Sequence, residues 1–155
     1  MPTPNEQIRE KIDVTWTDLM TAIDGLDDHA LTTPGVTGTW SVKDILGHIT
    51  TWEDSTMTLS QQQIDGTSPS EGNNDESWDM DTFNARESAA KAELPLTEIF
   101  RLLNETHGRL LEWLPTIPEE HLAPGSEVED RLKADTWNHY PAHTEAITAW
   151  RASRA

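Results

Sequence analysis

The sequence predicts an all-α fold: a four-helix bundle with a long loop and a short extra helix between the second and third long helices. Three observations lead there. Apolar residues recur at spacings of three and four through four long segments, which is the period of one face of an α-helix. No segment alternates apolar and polar residues as a half-buried strand does. Prolines and glycines gather between the periodic segments, where turns are needed. Four long helices with two extended connections suit a bundle. The length of 155 residues suits one domain, 1–155, with a single core.

The first helix is expected from about Asn5 to Asp28, with Ile8, Ile12, Trp16, Leu19, Ile23 and Leu26 on one stripe. A loop follows at Thr32–Gly38. The second helix begins at Ser41, a good N-cap, and Asp44 three residues on makes a variant capping box. Val42, Ile45, Ile49, Trp52 and Leu59 mark its buried side, His48 falls among them, and the helix should fade near Asp65–Gly66. The stretch Gly66–Trp78 is rich in Gly, Ser and Asn, and its length suggests a mobile cover near the mouth of a pocket. Asp79–Glu93 reads as a short helix with Phe83 on one side.

Pro95 suits the first turn of the third long helix. Ile99, Leu103, His107, Leu110 and Leu114 form its stripe, and Pro115 and Pro118 stop it. Thr116–Lys133 is expected to be a connection with a turn at Pro124–Gly125. The last helix should cover about Asp135–Arg151, with Tyr140, His143, Ile147 and Trp150 in register. Pro141 should kink it, unless the helix begins only at about Asn138.

Charge and composition narrow the function. Eleven basic against 28 acidic residues give −17, a surface that repels phosphate backbones and anionic lipid, so neither nucleic acid nor membrane is an expected partner. There is no cysteine, so any metal must be held by nitrogen and oxygen, and thiol nucleophiles are excluded. Seven tryptophans supply much of the apolar bulk of a chain that is only 35% hydrophobic. No stretch approaches the ~18–20 apolar residues of a membrane span. The N-terminus has no apolar core and does not read as a secretory signal, so a cytoplasmic location is expected.

The histidines carry the most chemical potential. His139 and His143 lie four apart in the last helical segment, so their imidazoles point the same way. A third imidazole from His48, on the second helix, would complete a three-nitrogen facial site for a divalent metal such as Zn, Ni or Mn. Packing is the competing role for each of these histidines. The Gly-x-Ser-x-Gly elbow, the P-loop, the Gly-x-Gly-x-x-Gly turn and the Glu-x-x-His pair of di-iron bundles are all missing from the sequence.

The run Trp40-Ser41-Val42-Lys43-Asp44-Ile45-Leu46-Gly47-His48-Ile49, followed by Trp52-Glu53, resembles the second helix of the DinB/YfiT-like superfamily. Similarity recurs from Leu94-Pro95-Leu96 to Arg109-Leu110-Leu111, and again from Asp135 to His143. The Asn138-x-Tyr140-x-x-His143 portion is closest to the ClbS/DfsB branch. The resemblance implies a DinB-like four-helix bundle, often a homodimer, with a divalent metal on three histidines. On this chain those are His48, His139 and His143. It implies activities ranging from thiol-dependent transfer to isomerisation. For the branch it implies self-resistance, by opening a reactive cyclopropane in a genotoxic metabolite, without an assured metal. Pro141 inside the histidine motif departs from the pattern.

Four residues are expected at the catalytic end of the pocket: His48, His143, Glu53 and Tyr140. Glu53 is a candidate general base, set against an exposed salt-bridging role. Tyr140 is a candidate hydrogen-bond donor, set against packing. Asp44 and Asp135, four residues before His48 and His139, are candidate acceptors that would orient an imidazole; for Asp44, helix capping already accounts for the residue. His107 is expected to pack or be half-exposed, and His29 and His121 to be solvated. Trp40, Trp52, Trp137 and Trp150 are expected in the core and pocket wall. The expected function is a small-molecule enzyme or detoxification protein, hydrolase- or transferase-like, acting on an electrophile. A metal would activate water or the electrophile; without one, histidines and carboxylates would act as general bases. The alternatives are a metal-free bundle that sequesters a metabolite, and a purely structural one.

Overall fold

Thr3 starts the first helix, α1 (Pro4–Ile23): its hydroxyl accepts from the Glu6 amide while the Glu6 carboxylate accepts from the Thr3 amide. The computed structural model describes residues 1–67 and 79–154. The expected continuation of α1 to Asp28 does not occur. Gly25 adopts φ +79°, which an L side chain resists, and Asp27 caps a separate short helix, α2 (Asp28–Thr32), by accepting from the Ala30 amide at 2.8 Å. Capping chemistry thus ends a stripe that periodicity alone would extend. The loop before the next helix closes on itself, with Trp40 N–H donating to Thr37 at 2.9 Å and Val36 N–H to Trp40 at 2.8 Å.

Helix α3 (Val42–Ile64) begins as expected, with the reciprocal Ser41–Asp44 capping box, and ends with Asp65 as its C-cap. Its inner face is mostly apolar in the first half, at Val42, Ile45, Leu46 and Ile49, and Met57 is the one buried apolar residue beyond. Beyond that, the buried residues include Glu53, Thr56 and Ser60, each fully buried. Trp52 and Leu59, expected inside, are only half-buried. Of the expected cover Gly66–Trp78, residues 68–78 lie outside the described residues.

Helix α4 (Met80–Ala92) is capped by Asp79 and contains no buried residue. Helix α5 (Leu96–Trp113) follows Pro95, and Pro115 lies in the 3₁₀ turn Leu114–Thr116 that terminates it. The expected irregular connection is instead largely helical. A second 3₁₀ turn spans Glu119–Leu122, Gly125 takes φ +84°, and Ser126 caps α6 (Glu127–Asp135). Only Val128 and Leu132 of α6 are buried, too few to show a stripe in sequence, and they pack against α3. The last helix, α7 (Tyr140–Ser153), starts later than Asp135, with Pro141 in its first turn. There the missing N–H breaks no helical bond, so Pro141 kinks nothing.

Helix α3 occupies the centre, packed most extensively on α5 and then on α6 and α4, while α1 lies along α7. One apolar cluster runs through these helices. Arg151 ties the end of α7 to the end of α1 by donating to the Ala22 carbonyl at 2.9 Å. Among the described residues there is no strand, only an isolated bridge between Thr37 and Trp40. No described helix is long and apolar enough to cross a membrane.

Candidate metal centre

His48 is two turns into α3, on a helix whose start is fixed by its capping box. His139 is not on a helix. It occupies the N-cap position of α7, in a turn where its amide donates to Thr136 at 2.8 Å. His143 lies one turn into α7. The α6–α7 turn is pinned by Thr136, whose carbonyl accepts from His139 and Tyr140 and whose hydroxyl donates to Leu132 at 2.6 Å.

The three rings converge. His139 Nε2 lies 3.0 Å from His48 Nε2 and 3.0 Å from His143 Nε2, and candidate ligand atoms of all three lie within 4.8 Å of one another. An ion bound at ~2.0–2.1 Å by imidazole nitrogens holds such nitrogens about 3 Å apart when its bond angles are near 90°, so the spacing fits a facial set. The donor chemistry points the same way. One Nε2 offers either a proton or a lone pair in the ring plane, yet His139 Nε2 faces two other nitrogens. A shared cation accommodates three lone pairs that hydrogen bonds serve poorly.

The surroundings favour neutral rings. Burial, then the neighbouring His139 and His143 and the Lys91 ammonium, holds His48 down at about 3. Burial, then His139, holds His143 at about 4. Burial lowers His139 as well, and the Asp135 backbone pulls weakly the other way, although no partner reaches hydrogen-bond geometry at the buried His139 Nδ1. Neutral imidazole is the metal-binding form. Trp40 packs 4.8 Å and Trp52 6.4 Å from the His48 ring, centroid to centroid.

Glu53 and Tyr140 stand behind this centre rather than in it. Both are fully buried, which overturns the exposed salt-bridging role for Glu53. The Tyr140 hydroxyl donates to Glu53 Oε2 at 2.9 Å, and His107 Nδ1 stands 2.8 Å from the same oxygen. Burial, then Glu53, pushes the Tyr140 phenol well above its ordinary range. His107 is buried and stacks flat on Trp16 at 3.6 Å, the packed one of its two expected placements. Its place on the α5 stripe was a usable signal, because a buried imidazole requires a polar partner. Nothing local named Glu53 as that partner. Asp44 is occupied by capping Ser41. The Asp135 carboxyl feels the charge of Arg131 and is not hydrogen-bonded to the His139 ring. His29 is exposed and His121 half-exposed. Trp137 is part of the buried core and Trp150 packs against it.

A family model, described as the DinB superfamily, matches residues 11–150. The chain belongs to the DinB superfamily. The superfamily resemblance read from the α3 start and the His139–His143 motif therefore holds. Among solved structures, "Sibling Lethal Factor Precursor - DfsB" is similar at 18% identity with a TM-score of 0.79, covering 99% of this chain and 98% of that one. At that identity the likeness shows the DinB-like fold. No curated protein sequence matches the chain.

Proposed function

We propose that this DinB-superfamily chain is a single-domain, cytoplasmic small-molecule enzyme or detoxification protein. It uses His48, His139 and His143 to hold one divalent ion and acts on an electrophilic substrate by a hydrolase- or transferase-like reaction. The observation that carries this reading is the approach of two imidazole nitrogens to 3.0 Å from a third, in surroundings that keep them neutral. A bound ion supplies Lewis acidity toward water or an electrophilic oxygen. The remaining roles belong to the chain. His48 and His143 stand at the reacting end. Glu53 and Tyr140 have no solvent-facing surface, so in this reading they position the centre: their hydrogen bond joins α3 to the first turn of α7, the two segments that carry the rings. The fold likeness to DfsB supports placement near the ClbS/DfsB branch, and with it a self-resistance role and a homodimer.

Metal content tests the reading. Tag-free apo protein should bind one Zn²⁺, Ni²⁺ or Mn²⁺ per chain by calorimetry, with binding held through the ordinary imidazole range and lost only as pH falls toward about 4, where His143 takes up a proton. His143→Ala should abolish that binding and His121→Ala should leave it intact. Equal binding by both variants removes His143 from the centre. A metal-free sequestering bundle is the second reading, favoured by a cavity of about 530 Å³ beside Trp52; turnover separates the two.

A further inference from the structure

A cavity lies not among the three rings but next to them, along α3 beyond His48 and Trp52. It measures about 530 Å³ and lies between α3, α4 and α5, with Arg131 of α6 at its edge. That is the size of a small-molecule site. Trp52, Ser55 and Leu59 line it, and they follow His48 along α3 at steps of four, three and four. Such steps keep residues on one helix face, so the cavity runs along the face that begins at His48. The Trp52 indole N–H is fixed by donating to Asn84 at 2.9 Å, which presents a held aromatic wall. Leu59 and Leu102 extend the apolar lining.

The charge of this lining opposes that of the chain. Three of the 11 basic residues, Lys91, Arg109 and Arg131, line it, against two of the 28 acidic ones, Asp54 and Glu87. A random draw from so acidic a chain would reverse that ratio. The ion pairs within it are long. Arg109 approaches Asp54 at 3.4 and 3.5 Å, and Lys91 approaches Glu87 at 3.7 Å, whereas a good charge-assisted bond is about 2.7–2.9 Å. Asp54 is 58% exposed and can return to water if displaced. Gly47 contributes too. A Cβ there would meet Lys91 Cδ at 3.2 Å, so its absence lets the lysine stem lie across α3, with its ammonium donating to Thr51 at 2.6 Å. The Lys91 charge is felt at the His48 ring.

We propose that this cavity binds an aromatic small-molecule anion, its ring body against Trp52 and Leu59 and its carboxylate or sulfonate against Arg109, Arg131 and Lys91. The binding claim rests on the cavity alone; that the bound molecule presents its reactive end to His48 rests on the function proposed above. Lys91, Arg109 and Arg131 are then specificity residues.

Two fluorescent probes test it on the full chain: 1-anilinonaphthalene-8-sulfonate, and N-phenyl-1-naphthylamine, which has the same ring system without the sulfonate. The sulfonate should bind one per chain and more tightly than the neutral probe. Combined Arg109→Gln and Arg131→Gln should weaken the sulfonate about tenfold, the scale of one lost charge-assisted bond, and leave the neutral probe unchanged. Trp52→Leu should weaken both. If the double variant does not fold, Arg109→Gln alone should still weaken the sulfonate selectively, since that side chain is 54% exposed. Equal binding of the two probes, no saturable site, or an Arg109→Gln protein that holds the sulfonate as tightly as before overturns the proposal. The parent chain separates the two claims. Sulfonate selectivity in a parent chain that binds no Zn²⁺ leaves the cavity standing and removes the metal centre; Zn²⁺ binding by the parent without probe selectivity does the reverse.

Discussion

Asp135 is the last residue of α6, and burial pushes its carboxyl from an ordinary 3.8 up to about 7, against the pull of Arg131. The folded chain therefore holds a proton that the unfolded chain has lost between pH 3.8 and about 7. Stability contributed by this group is present below that window and falls as pH rises through it. Asp135→Asn cannot ionise, so it should be more stable than the parent at pH 8, with the gap closing as pH is lowered to about 3.8. Urea midpoints for both proteins across that range check this; a gap independent of pH removes ionisation as its cause. Neighbouring residues show what the sequence hides at this scale. The pairing of His139 with His143 is legible from their spacing, and His48 joins them through the family resemblance; the three rings do converge. The burial of Glu53 is not legible, because its partners His107 and Tyr140 lie 54 and 87 residues away. An acidic residue beside half-buried Trp52 reads as a surface group until the helices are packed.

Helix boundaries follow the same division between local and distant causes. The start of α3 is legible because Ser41 and Asp44 satisfy backbone donors within one turn. Ser41→Ala should cost about 1 kcal/mol in a denaturation experiment. A loss below a few tenths would mean that packing of Val42 and Ile45, not the cap, holds that end. Pro141 was ambiguous between a kink and a start, and the structure uses it as a start. The end of α1 and the whole of α6 escape the sequence pattern for opposite reasons. At Gly25 a continuous stripe concealed a turn. At α6 two buried residues in nine concealed a helix that α3 stabilises from outside.

For the whole molecule, charge and packing pull against each other. With −17 on the chain, two copies repel within a Debye length of about 10 Å at 0.1 M salt. The proposed homodimer should therefore tighten as salt rises, if apolar packing holds it. Sedimentation from low to high salt reads this directly, and a monomer throughout overturns the dimer. Within one copy, the oxygen that accepts from Tyr140 and faces His107 has a further consequence. Glu53 Oε2 belongs to α3, His107 to α5 and Tyr140 to α7. None of these helices can swing away without stranding a buried carboxylate, a loss of roughly 1–3 kcal/mol or more. Amide hydrogens in the three helices should accordingly exchange with solvent together, at the free energy of global unfolding, whereas those of α4, which contains no buried residue, should exchange through smaller local openings. Replacing Glu53 with Gln and Tyr140 with Phe should let α7 exchange ahead of α3, turning one cooperative unit into two.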